Sequence, residues 1–219
     1  MDLSHIFDFL RQLQLHNSKE WMDAHRDQYQ EARQTFIEVT ARLLEGLSLE
    51  EEGLRGLDPK KCIFRINRDI RFSREKSPYK NNFGAALAEG GRQSGNPIYY
   101  LHLQPADESF IAGGLYHPPA DTLAKVRQEI DYNSSELKAI TTERAFQQYF
   151  GQIQGDALKR APKGYAPDHP NIALLKLKDY LVIHTLTDQE VTDGAFLEQA
   201  LTVLRAMVPF IRYLSVAIS

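Results

Sequence analysis

The chain is poor in the features that would make its chemistry easy to name. It has one cysteine, Cys62, in 219 residues, which excludes an intramolecular disulfide framework and any structural zinc or iron–sulfur site built on several thiolates. A lone thiol suits a reducing compartment, so a cytoplasmic location is expected. No stretch approaches the roughly 18 consecutive apolar residues of a membrane span. The first ten residues carry Asp2 and Asp8 where a signal peptide has a basic start, so the N-terminus is expected to be unprocessed and no membrane contact is anticipated. Neither sign of charge dominates: 26 Lys+Arg face 29 Asp+Glu, for a formal net charge of -3. That balance argues against a protein that coats nucleic acid over its whole surface, and it leaves room for local basic patches. There is no His-Glu-x-x-His, Walker or Rossmann pattern, no repeat of roughly 20 to 50 residues, and no low-complexity segment. What is present is ordinary for a globular chain: 42% hydrophobic and 25% charged residues, enough to bury one sizeable core.

Periodicity divides the chain into three parts, expected to form one domain over 1–219: helical over 1–50, sheet-centred over 60–117 and mainly helical over 118–219. Leu3, Ile6, Phe7, Leu10 and Leu13 recur at helical spacing. Trp21, His25, Tyr29, Ala32, Phe36, Val39 and Leu43 do so again, which predicts one helix from Ser18 to about Leu47 with Asn17 as N-cap and Glu20 reaching back. From Cys62 the period becomes two. Cys62, Phe64, Ile66, Ile70 and Phe72 alternate with Arg65, Asn67, Asp69 and Arg71, the pattern of a half-buried strand. Phe83 to Ala88 predicts a neighbouring strand, and Tyr99 to Gln104 with Ser109 to Leu115 predict a hairpin closed near Pro105 to Glu108. Pro118 and Pro119 open a helix through Leu123, Val126 and Ile130, followed by short helices around Glu136 to Ile140 and Glu143 to Phe150. Leu158 to Pro170 has neither period and is expected to lie over the sheet as an ordered loop. Asp168 with Pro170 signals a helix into Leu174, Tyr180 to Leu186 a strand, and Thr192 with Asp193 the cap of a last helix that Pro209 kinks or ends. The fold class is therefore α+β: an N-terminal helical pair, a small, mostly antiparallel sheet of three or four strands, and C-terminal helices packed on it.

Charge is unevenly placed along this pattern. Residues 62–80 hold six basic and two acidic side chains, and residues 159–178 hold five basic and one acidic, while every other part of the chain is net acidic. If the two stretches meet in space, they make one basic basin. In the first, strand alternation sets Arg65, Asn67, Asp69 and Arg71 on one face, where forked guanidiniums suit a phosphate or carboxylate. Two or three charge-assisted hydrogen bonds of about 1.5 to 3 kcal/mol each are enough to hold a small anion at millimolar to micromolar strength. The alternative is structural: the same arginines pair with Asp69, Glu75 and the acidic helices to brace the fold.

The segment Phe64-Arg65-Ile66-Asn67-Arg68-Asp69-Ile70-Arg71-Phe72-Ser73, followed by Lys76-Ser77-Pro78-Tyr79-Lys80, resembles the hallmark of the domain of unknown function 2461 family. The resemblance extends through Asn17 to Trp21, Gly113-Gly114-Leu115-Tyr116-His117-Pro118, Leu158 to Tyr165, Asp168-His169-Pro170 and Leu174 to Lys178. It implies that the two basic stretches found by counting are those that define the family, and it implies no particular reaction. The family pattern usually has Tyr at Asn67, a Lys-Asp pair at Arg74-Glu75 and often Trp at Tyr116. Only the change at Asn67 alters the chemistry, since it removes an aromatic ring.

Other features are weaker. Ser73-x-x-Lys76 has the spacing of a serine nucleophile with a lysine base but lacks the companion motifs, so a turn-capping serine is expected. The seven histidines are scattered; His102 and His117 would have to converge with Asp168 and His169 to hold a metal, and no metal site is expected. Gly90-Gly91, Gly95 and Gly113-Gly114 read as turns and bulges. Trp21, Tyr29 and Phe36 are expected in the core, Cys62 as a small buried hydrophobe, and Tyr79 and Tyr165, each beside lysines, as platforms for a ligand ring. The reading that follows is a binding or turnover site for a phosphorylated or carboxylated small molecule. Arg65, Arg68 and Arg71 act as clamps, Lys76, Tyr79 and Lys80 complete the charge and stacking, and Lys159, Lys163 and Tyr165 close from the loop. The alternatives are a nucleic-acid or partner-protein surface, which the acidic remainder disfavours, and a purely structural ion-pair network. No cofactor, catalytic residue or oligomeric state follows from the sequence.

Overall fold

The computed structural model describes residues 1–69, 71 and 76–219. Its organising element is one four-stranded antiparallel sheet in the order β1 (Phe83–Leu87), β2 (Ile98–Leu103), β3 (Ser109–Leu115) and β4 (Tyr180–Leu186). Each strand pairs with its predecessor, Phe83 opposite Leu103, Leu101 opposite Ile111 and Ile111 opposite His184. The α+β class expected from the periodicities is what the chain adopts.

Register decides which side chains share a face. Leu87, Tyr99, Leu101, Leu103, Ile111, Leu115, Tyr180 and Val182 point to one side and are buried. Helices Phe196–Ala206 and Val208–Ile218 contact β3 there, and Arg26–Leu47 contacts β1. The approach is close enough that a Cβ on Gly113 would overlap the Met207 sulfur, so glycine is required at that crossing. The opposite face carries Gly84 and Ala86 on β1, Ile98, Tyr100 and His102 on β2, Phe110 and Ala112 on β3, and Ile183 and Thr185 on β4. On this face Ile98, Tyr100, His102, Phe110 and Ile183 are half-buried and Thr185 is exposed. Helix burial is thus one-sided and the second face stays partly open.

Several expectations need correction. The single helix from Ser18 to Leu47 is two, Lys19–Ala24 and Arg26–Leu47, broken at His25, and its N-cap is Ser18, whose hydroxyl accepts from the Trp21 N–H. Among the described residues the strand expected from Cys62 does not form. Asp58 caps a short helix, Pro59–Cys62, with Pro59 in its first turn, and the chain leaves it through isolated bridges, Ile63 opposite Ala85 and Asn67 opposite Tyr79. As a result Ile63 is buried and Phe64 is 38% exposed, against the alternation, while Cys62 and Ile66 are buried as expected. Ile70 and Phe72 lie outside the described residues. The helix expected from Asp168 is only Ile172–Leu175, beginning after Asn171. Near the C-terminus Thr187, with Glu190, caps a helix of its own, Asp188–Thr192, and the helical run expected to kink at Pro209 breaks at Met207 with a bend of 43°, Pro209 lying in the first turn of the last helix. Among the described residues no single helix is long and apolar enough to cross a membrane.

Candidate functional site

The first basic stretch lies along the outer edge of β1. Phe64 N–H donates to the Gly84 carbonyl, Lys80 N–H to Ile66 and Arg68 N–H to Pro78, so two extended arms meet beside the start of β1. One side chain pins them to the helical layer. The Asn17 amide donates to the Tyr79 carbonyl at 3.0 Å and its oxygen accepts from the Tyr79 N–H at 3.0 Å. A primary amide is the one neutral side-chain group that satisfies a backbone N–H and C=O together. This is what Asn17 does in place of capping a helix.

Phe64 is the centre of the edge. The Lys80 Nζ stands 5.7 Å and the Arg92 guanidinium carbon 5.1 Å from its ring centroid, both in cation–π geometry. Arg92 also donates to the Ile63 carbonyl. Arg68 donates to the Tyr79 carbonyl at 3.3 Å, while its Nε is buried with no hydrogen-bond partner among the described residues. Burial, and then the charges of Arg65, Arg68 and Arg92, hold the Lys80 ammonium below its ordinary pKa. Among the described residues none of Arg65, Arg68, Lys80 and Arg92 makes an ion pair, and Arg65 acts on Asp69 only at longer range. Arg71 differs: it grips Asp69 through Nε at 3.0 Å and a terminal nitrogen at 2.6 Å, which drives the Asp69 carboxyl down to about 2. Among the described residues, then, Arg71 is braced by a carboxylate and the other four cations are not. Lys76 is exposed and Tyr79 is buried, 8% accessible, so Tyr79 is no stacking platform. Ser73 lies outside the described residues.

On the open face beside this edge, Phe64 meets Tyr100 edge-on with centroids 6.1 Å apart. Tyr100 Oη is 3.1 Å from His102 Nδ1, and His102 Nε2 is 3.0 Å from Gln104 Oε1. Because an amide oxygen only accepts, His102 carries its proton on Nε2 and takes the Tyr100 proton at Nδ1. Burial leads in keeping His102 below its ordinary pKa, with Lys80 acting in the same sense, and burial raises Tyr100 to about 12. Gly84 makes room: a Cβ there would stand 2.5 Å from the Tyr100 hydroxyl.

The second basic stretch is at the other edge. Gln154 bridges to Leu181 of β4 and Ala157 to Leu177, and Leu158 N–H donates to Lys176. From Phe64 across four strands to this segment is five steps of about 4.8 Å, roughly 24 Å. Tyr165 packs with His169, whose Nε2 is 2.9 Å from Asp131 on the helix Ala120–Tyr132. Lys159 and Lys163 are exposed, and Lys178 pairs with Asp156 at 3.1 Å. The fold thus does not bring Lys159, Lys163 and Tyr165 to Arg65, Arg68 and Lys80, and the single basin expected from the charge count is replaced by two separate edges. His102, His117 and His169 are likewise apart, on Tyr100, Asp179 and Asp131 respectively. Arg92 and Tyr100 carry no mark of a site in the sequence, and His102 enters it only as a metal ligand that would need distant partners. Arg92 is an isolated cation in a glycine-rich loop, and only the pairing of Ile63 with β1 brings it to Phe64.

An antiparallel meander with helices on one face and cations along its first edge makes this a two-layer α+β protein. The chain belongs to the DUF2461 family of conserved hypothetical proteins, whose model matches residues 5–213. No curated protein and no solved structure matches it.

Proposed function

We propose that the β1 edge binds a small phosphorylated or carboxylated molecule through Arg65, Arg68, Lys80 and Arg92. The observation that supports this reading is a group of cations, two of them over one exposed ring and two acting on Lys80, with no carboxylate paired to them among the described residues. Placing like charges together costs free energy, and an anion relieves it. Three guanidiniums and an ammonium supply forked and rotating donors, the combination suited to phosphate or carboxylate oxygens. Lys159, Lys163 and Tyr165 have no part in this site, and Arg71 orients Asp69. A phosphate-rich polymer meets only a short cationic edge here, which favours a small ligand.

Isothermal titration with inorganic phosphate and with malonate at low ionic strength, where screening is weak, tests the proposal. Binding at millimolar to micromolar strength is expected, lost by at least about tenfold in an Arg65→Ala, Arg68→Ala protein. No heat with either anion, or equal affinity in the double variant, overturns it.

A further inference from the structure

We infer that the ligand is an anion bearing a flat aromatic ring, its charged group at Lys80 and its ring against Phe64 and Tyr100 on the open face of the sheet. This rests on the anion-binding reading above and adds the class of the uncharged part. Phe64 leaves more than a third of its surface in solvent although it is the large apolar residue nearest the cations. It begins a continuous row of rings: Phe64 to Tyr100 at 6.1 Å, Tyr100 to Phe110 at 5.8 Å, and His102 stacked on Phe110 at 4.5 Å with planes 11° apart. The helices that contact β3 pack on the opposite face of the sheet, not on this row.

Charge gives the row a direction. Lys80 and Arg92 flank Phe64, whereas the far end at Phe110 opens on a depression of about 160 Å³ rimmed by Asp107 and Glu108. An occupant complementary to both ends carries its negative charge at one end only. Between them the surface offers ring faces and edges, and its polar groups are already paired: the Tyr100 hydroxyl with His102 Nδ1, and His102 Nε2 with Gln104. Ring against ring adds attraction beyond the area it covers, and an aliphatic group of equal size does not obtain it.

The test compares phenyl phosphate, cyclohexyl phosphate and inorganic phosphate by titration against the full chain and its Phe64→Leu variant. Phenyl phosphate is expected to bind the unmodified protein about three- to tenfold more tightly than the other two, with cross-relaxation from its ring protons to those of Phe64 and Tyr100. In Phe64→Leu the ratio of phenyl to cyclohexyl phosphate affinity falls towards one, a readout that a general weakening of the cation site does not move. Equal binding of the phenyl and cyclohexyl esters, a preference that survives Phe64→Leu, or no ring contact in the unmodified protein overturns the inference and leaves the anion site standing. Failure of all three compounds to bind overturns both.

Discussion

The two edges of the sheet are built alike and charged differently. Each is extended by an irregular segment that bridges to the outermost strand, and each segment is held by one polar side chain: Asn17 on Tyr79 at the β1 edge, and Asp179 on the His117 and Asp156 N–H groups at the β4 edge. At the β4 edge, however, positive charge is answered or dispersed. Lys178 faces Asp156, and Lys159 and Lys163 stand in water. At the β1 edge Lys80 and Arg92 stand over one ring and Arg65 and Arg68 add their charge to Lys80, without a paired carboxylate among the described residues. A basic stretch braced by its own acids is scaffold, and one left unanswered is the better place to look for a ligand.

The comparison breaks most sharply at the pins. Asn17→Ala leaves the Tyr79 N–H and C=O without partners, and a loss of about 2 to 4 kcal/mol in urea denaturation is expected together with loss of phosphate binding. Asp179→Ala is expected to cost about 1 to 3 kcal/mol while phosphate affinity stays unchanged. Affinity sharpens the contrast next. Arg65→Ala is expected to weaken phosphate binding about tenfold, whereas a Lys159→Ala, Lys163→Ala protein binds as the unmodified chain does.

Stability and binding should then move in opposite directions at Lys80. Its pKa in the fold is below 10.5, so the unfolded chain holds that proton more tightly, and the lysine opposes folding most where it is fully charged. Lys80→Met is expected to keep or raise the thermal midpoint and to weaken phosphate binding, and in the unmodified protein Lys80's opposition to folding fades as pH rises from the lowered pKa towards 10.5. The smallest effect belongs to His102. Its folded pKa is also depressed, from 6.5, so the unfolded state takes up the proton first as pH falls, and a modest loss of stability below about 6.5 is expected that His102→Gln removes.

Much of this arrangement was legible in the chain. β4 follows the expected Tyr180 to Leu186, and the β2–β3 hairpin closes where Pro105 to Glu108 marks a turn, with Ala106 and Asp107 at positive φ. Local signals sufficed because each strand pairs with its sequence neighbour. The Cys62 segment misled because its alternation is real in composition but is overridden by Asp58 and Pro59, which start a helix and rotate Phe64 outward. Asn17 was visible as a polar residue before a helix, and nothing local distinguishes a cap from a brace for a strand 62 residues away.

Counting charge located Arg65, Arg68 and Lys80 but carries no information on where a second stretch lies. A signal was available: in a simple meander, a segment before the first strand and one before the last fall on opposite edges, which is what β1-β2-β3-β4 does. Arg92 had no signal of its own, since it stands alone among glycines and reaches the site only through Ile63.

The most direct test of the account is to follow backbone amide NMR shifts while inorganic phosphate is added at low salt. The account predicts saturable shifts at Arg65, Arg68, Lys80 and Arg92, with Lys159, Lys163 and Tyr165 unmoved. Shifts centred on the β4 edge, or shifts that rise linearly at both edges without saturating, would contradict it.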